Sequence, residues 1–430
     1  MRPALLSVAL LLVATIAGAG GYGDLYDDAT LQKWQPVFAE DIVWNYRNAI
    51  LPKLTPEEKE RLRNVRIEFP LRGPEEDVFE FFAGNGKVVL PVLSLRFFGD
   101  LALASAWLNE NQYNGQTVSQ YVGMIHFRRR EDFPGRRYPD PLTALRIPGD
   151  ARNDPAVADA FGKVFSSGVI FILCHELGHL VHEHPGYAGV SAQQAQLNEA
   201  QADRFAVEIM RRLGVVPAGI VLWFANTATR EAEGQKGART HPLSAARIES
   251  LAAGLEKAAP DFARAESDPA RAAIIVRTIA AQVRTIAGVL GDEEIHRMLR
   301  HQGATTGLKD LAPRRTIELA APQGAGSPAG VPFDGVYHCR FKAKVSRDVF
   351  DLRLVLRRHG DKVTGEYTYA IFSGKVLGFV RGQTLDLAWT EGGATGKARF
   401  QSDQSGGSFT GTWGDATSPD NGGTWSGKRQ

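Results

Sequence analysis

Cysteine is nearly missing from this 430-residue chain, with only Cys174 and Cys339 present. Two thiols so far apart exclude a disulfide framework as the source of stability. Charge of one sign is missing as well: 50 Lys and Arg face 48 Asp and Glu, a formal net charge of +2. So even a balance leaves no global footprint for nucleic acid, and no nucleic-acid partner is expected. Beyond residue 20 no hydrophobic stretch reads as a stable membrane span.

What is present begins with a leader. Arg2 gives a positive start, Ala4 to Ile16 an apolar run, and Ala17-Gly18-Ala19 a small-residue cleavage pattern. Residues 1–20 therefore read as a signal peptide, and the expected location is exported, periplasmic or extracellular. The apolar run is short for a bilayer, and no cysteine near the cleavage pattern offers itself for lipidation.

After the leader, residues 27–63 read as helix, interrupted at Leu51-Pro52 and restarted by Thr55-Pro56-Glu-Glu58. Strand-like runs follow at 64–69, 77–82 and 87–95, with Asn85-Gly86 as a hairpin signal. A helix is expected from Gly99 to about Asn109, then a further apolar run at 121–127. Residues 128–154, rich in arginine and proline, read as a solvated loop. Asp154-Pro155 caps a long helix ending by Pro185, and Ser191 to Gln194 opens another that ends at Leu213-Gly214. Helices are further expected at 217–233, from Thr240-His241-Pro242, at 268–289 and at 291–301.

The texture changes at residues 320–330, which read as a linker. Past it come glycine-dense alternating runs at 334–341, 350–356, 362–369, 383–389, 396–400, 408–413 and 423–425, the pattern of an antiparallel barrel or sandwich. Gly411-Thr-Trp413 and Gly423-Thr-Trp425 repeat, as if two adjacent strands sent tryptophans into one core. The fold class is α+β: a mostly helical unit with a small sheet over residues 21–319, then an all-β unit over 331–430.

Chemistry concentrates in Phe171-Ile-Leu-Cys-His175-Glu176-Leu-Gly-His179-Leu-Val181. Histidines four apart share a helix face and can hold one Zn²⁺, while the adjacent Glu176 points to where a water would sit. The flanking Val169 to Leu173 and Leu177, Leu180 and Val181 make this a buried helix, where polar groups are costly without a task. Cys174 reads as a small core residue. A hydrolytic zinc takes three protein ligands, and His182 and His184 follow His179 too closely to close round the same ion. The next helix offers Glu199 as third ligand, with Asp203 one turn on as an acceptor that could orient an imidazole.

His175-Glu176-x-x-His179, Asn198-Glu199-Ala-x-Ala-Asp203 and Thr240-His241-Pro242-x-x-x-x-Arg247-Ile248 together resemble the HtpX and CAAX prenyl protease type of gluzincin metallopeptidase. The spacing from His179 to Glu199 is also similar to the ImmA/IrrE type. The first resemblance implies one zinc on His175, His179 and Glu199, with Glu176 as general base. It implies too that His241 and Arg247 lie near the substrate carbonyl, and that Val88 to Leu93 forms an edge strand for extended peptide. The expected function is an exported zinc endopeptidase with protein or peptide substrates. Two alternatives stay open: a zinc hydrolase of cell-wall peptides, and a chaperone-like binding protein whose zinc is structural or plugged by His182, His184 or His241.

Overall fold

A computed structural model describes residues 21–111, 113, 115–186, 190–231, 243–263, 269–313, 332–343, 349–369, 372–391, 394–415 and 418–430. The leader, His241 and the 320–330 linker lie outside these described residues.

Helix α1 (Asp28–Asn45) is capped by Asp27, whose side chain accepts from the Thr30 amide. It does not break at Leu51-Pro52 as expected. A π-helical turn, Tyr46–Ile50, leads straight into α2 (Leu51–Lys53), and the wider turn accommodates the proline ring and its missing donor. Thr55 and Glu58 then form a reciprocal capping box on α3 (Pro56–Arg61).

Three short strands follow: β1 (Arg66–Glu68), β2 (Phe82–Gly84) and β3 (Lys87–Val89), in the order β1-β3-β2. Asn85 and Gly86, at φ 51° and 70°, make the hairpin turn between β2 and β3. The expected strand at 77–82 is instead a turn up to Phe81. There the Glu80 carboxylate accepts from the Glu75 and Asp77 amides and Asp77 accepts from Phe79, so local bonds displace strand pairing. The strand expected through Leu95 stops at Val89, and α4 (Val92–Glu110) begins behind Pro91, earlier than Gly99. With β3 in the middle of the sheet, the edge beside the later helices is β2.

Helices α5 (Thr117–Phe127) and the short α6 (Pro141–Ala144) precede α7 (Pro155–Val181), the axis of the helical unit. Asp154 caps α7 by accepting from the Ala156 and Val157 amides. Around it pack α4, β2, α8 (Ala192–Leu213) and α9 (Gly219–Glu231). Then come α10 (Ala245–Ala263), α11 (Pro269–Leu290) and α12 (Glu293–Thr305). The expectation that nothing past the leader could span a membrane fails on length and composition: α7 is long and apolar enough. Its apolarity has a use within the fold, because Phe171, Ile172, Leu173 and Leu177 sit in the core.

Gly178, inside the His-Glu-x-x-His stretch, sets how closely α7 and α8 approach. A Cβ there would meet the Ala202 Cα at 3.1 Å and the Phe205 Cβ at 3.2 Å. That crossing brings the Glu199 turn of α8 over the histidines of α7.

The C-terminal unit is a closed barrel of eight antiparallel strands: β4 (Gly335–Ala343), β5 (Val349–His359), β6 (Lys362–Tyr369), β7 (Phe372–Arg381), β8 (Thr384–Glu391), β9 (Ala394–Ser402), β10 (Ser408–Asp415) and β11 (Gly423–Arg429). β10 and β11 pair with Gly411 opposite Trp425 and Trp413 opposite Gly423. Both tryptophans lie against Phe341. β7 is a strand that alternation did not reveal. Its glycines stand where neighbours crowd in: a Cβ on Gly374 would meet the Tyr367 ring, and one on Gly378 the Asp386 carbonyl. The barrel's apolar cluster also takes in Val289, Ile295 and Leu299 from α11 and α12.

Candidate metal centre

His175 and His179 project from one face of α7 and meet Glu199 of α8. His175 Nε2 and His179 Nε2 are 3.1 Å apart. Glu199 Oε2 lies 3.4 Å from His175 Nε2, and Glu199 Oε1 lies 3.3 Å from His179 Nε2. Exposure is 5%, 7% and 0% for the three residues, so they are shielded from bulk water. Four ligands placed tetrahedrally at ~2.0–2.2 Å from an ion stand about 3.3–3.6 Å from one another. The three donor groups already lie close to that spacing, and they form a cluster able to hold a metal ion. The residues fit the group.

Behind the donors lies a second layer of charge. Asp203 Oδ1 accepts from His175 Nδ1 at 2.8 Å, so the Nε2 of that ring is turned toward Glu199. Arg247, from α10, forks over both carboxylates: its terminal nitrogens lie 2.6 Å from Glu199 Oε2 and 2.9 Å from Asp203 Oδ1, and its Nε is 2.7 Å from Asp203 Oδ2. Arg247 is 6% exposed, with the Phe224 ring beneath its guanidinium at 5.7 Å. The sequence resemblance put Arg247 beside a substrate carbonyl; in the structure its guanidinium binds the Glu199 and Asp203 carboxylates. His241 lies outside the described residues.

These contacts set the protonation. Burial works to lower the His175 pKa, but the bonds to Asp203 and Glu199 outweigh it and lift it to about 10 in the metal-free chain. Burial works to raise the Asp203 pKa, and the charges of Arg247 and His175 outweigh that, holding it below the ordinary carboxylate range. Glu176 is 2% exposed, on α7 between the two histidines. Cys174 and Cys339 are both buried free thiols, and burial pushes the Cys174 pKa far up.

Two residues join the centre in roles the sequence reading did not give them: His184, weighed there only as a ligand or plug, and Gln201. His184 Nδ1 lies 2.9 Å from His179 Nδ1, the ring nitrogen facing away from Glu199. Gln201 of α8 bridges His184 and His182, at 3.1 and 2.9 Å. A residue five past a helix's third-last position folds back onto it when the helix ends in a left-handed residue, and a glutamate at 183 gave no sign of that conformation in the sequence. Beside the histidines opens a cleft of about 340 Å³ lined by Arg61, Ala83, Gly84, His179, Glu183 and His184, so the edge of β2 borders the centre.

Residues 125–265, about a third of the chain, match the family described as Peptidase U49. The matched stretch carries His175, Glu176, His179, Glu199, Asp203 and Arg247, and it supports a peptidase. Neither the curated proteins nor the solved structures yield a match.

Proposed function

We propose that this chain is an exported zinc-dependent endopeptidase of the gluzincin type, with ligands His175, His179 and Glu199. The observation that carries the reading is the triangle of donors at 3.1–3.4 Å, inside a stretch that matches a peptidase family. When bound, zinc supplies Lewis acidity, polarising a peptide carbonyl and easing the ionisation of water near neutral pH.

The chain's own residues would do the rest. Glu176 takes a proton from the water that attacks the carbonyl and hands it to the departing amine. Asp203 holds the His175 ring in register, and Arg247 holds the Asp203 pKa down and fixes the Glu199 carboxylate in place. The free edge of β2 offers main-chain groups to an extended peptide in the cleft. His184 and His182 are engaged with Gln201 and with the outer nitrogen of His179, an arrangement that speaks against either of them plugging the fourth position.

The test is Glu176→Gln. It should retain about one zinc per chain while peptide hydrolysis falls on the order of a thousandfold or more. A zinc-loaded variant with full activity would sink the assignment.

A further inference from the structure

Helix α7 ends in a Schellman arrangement. The His184 amide donates to the His179 carbonyl at 3.0 Å, and the Glu183 amide donates to the Leu180 carbonyl at 3.2 Å. The left-handed residue is Glu183, at φ 54°, where the corresponding position at the end of α8 is Gly214 at φ 72°. A non-glycine residue in that conformation carries backbone strain. Arg61 supports the turn, donating to the Val181 carbonyl at 3.0 Å and pairing with Glu183 at 2.7 Å. The motif folds the residue after the left-handed one back onto the residue five before it, and here both are histidines, His184 and His179.

We propose that His184, Gln201 and His182 form a one-way hydrogen-bond chain that fixes His179 in the tautomer able to ligate through Nε2, which makes His184 and Gln201 positioning residues. The proposal rests on the metal reading given above. A neutral imidazole carries one N–H and one bare nitrogen. His179 Nε2 faces His175 Nε2 and Glu199, so as a ligand it is bare and the proton sits on Nδ1. That proton points at His184 Nδ1, 2.9 Å away, which must then be bare. His184 therefore carries its proton on Nε2, 3.1 Å from Gln201 Oε1, an oxygen that only accepts. The Gln201 amide nitrogen in turn donates to His182 Nδ1 at 2.9 Å. Each link has one donor and one acceptor. The opposite direction needs the Gln201 amide turned round, its nitrogen facing His184 and its oxygen facing His182, and it would leave the His179 proton on Nε2, where no metal could be held. The two ligand histidines are thus oriented differently: His175 by the anionic Asp203, His179 by a neutral chain.

Zinc affinity of the full chain by chelator competition, with ¹⁵N spectra of the imidazoles of the zinc-loaded protein, tests this. His184→Ala should weaken zinc about 10–100-fold, as losses of an outer partner do. Gln201→Met, which removes the acceptor, should also weaken zinc, whereas Gln201→Glu, which keeps an oxygen facing His184, should hold affinity within about threefold of the parent. The spectra should show the His179 proton on Nδ1 and the His184 proton on Nε2. Parent-level affinity in His184→Ala, or a His184 proton on Nδ1, overturns the chain. If His184→Ala does not fold, the Gln201 pair and the parent's spectra still decide. A parent that binds no zinc would defeat the metal reading itself, an outcome distinct from a zinc-loaded His184→Ala.

Discussion

Between α5 and α10 the protein buries ionisable side chains together: Glu199 is fully buried, and His175, Glu176, His179, Asp203 and Arg247 are each at most 7% exposed. Among the described residues of the barrel no carboxylate, histidine, lysine or arginine is buried, and the interior is aromatic and aliphatic, with Phe333, Tyr337, Tyr367, Trp389, Phe400, Phe409 and Trp425 beside the Cys339 thiol. A barrel packed this way needs nothing beyond apolar burial to stand. A helical core that accepts several buried charges gives up stability for them, since desolvation rivals what the pairing returns. Charge of that kind marks where chemistry is expected, and it lies in the helical unit.

The sharpest way to break the contrast is to damage each unit once. Glu199→Ala should abolish zinc binding and, with it, peptide hydrolysis. Trp425→Ala, in the barrel core, should cost about 3–5 kcal/mol of stability yet leave zinc content at the parent level. Metal analysis and denaturant unfolding of both variants decide the matter. A fully zinc-loaded Glu199→Ala chain, or a barrel variant that loses metal while folded, would erase the division.

A smaller effect separates ligand from support inside the centre. Asp203→Ala should weaken zinc about 10–100-fold without emptying the site, because of the three ligands it touches His175 alone, at the ring's outer nitrogen. Arg247→Met leaves two buried carboxylates without their cation and should destabilise the fold by roughly 3–5 kcal/mol. Arg247→Lys should not rescue it, since an ammonium cannot span Glu199 and Asp203 as the forked guanidinium does. If Arg247→Met proves as stable as the parent but slow in turnover, Arg247 acts on substrate after all.

How much of this could be read from the chain follows the range of the forces involved. The His175/His179 spacing, the Asp154, Thr55 and Ser191 caps, and the Asn85-Gly86 turn are local, and each stands in the structure as read. Glu199 and Asp203 were legible because their spacing of four places both on one face of the next helix. Hidden from the sequence was whatever depended on a partner distant in the chain. β7 hid because Gly374 and Gly378 make sense only against Tyr367 and Leu387 of neighbouring strands. Arg247 was found but its contacts with Glu199 and Asp203 were not, since nothing local says that α10 will lay it across α8. His184 hid behind Glu183, a residue whose type gives no hint of a left-handed backbone.

The smallest prediction tests whether buried charge always signals chemistry in this unit. Asp100 of α4 is 4% exposed and lies outside the metal centre, bonded to Tyr26 at 2.8 Å and to Arg96 at 2.9 Å. Burial raises its pKa from 3.8 to about 6, against the opposing pull of Arg96 and the Tyr26 hydroxyl. The folded chain therefore holds this proton more tightly than the unfolded one, so its contribution to stability is whole below about pH 4 and is lost as pH climbs to about 6. At ~1.4 kcal/mol per pH step, the loss amounts to at most about 3 kcal/mol. Asp100→Asn has no proton to lose at this position. Its stability relative to the parent should rise across that window and then level off, with zinc content and turnover unchanged. Urea midpoints of both chains from pH 4 to 7 give the difference. A flat difference would mean that Asp100 stays ionised throughout, and a variant that loses turnover would mean that the ionic core of this unit is functional as a whole.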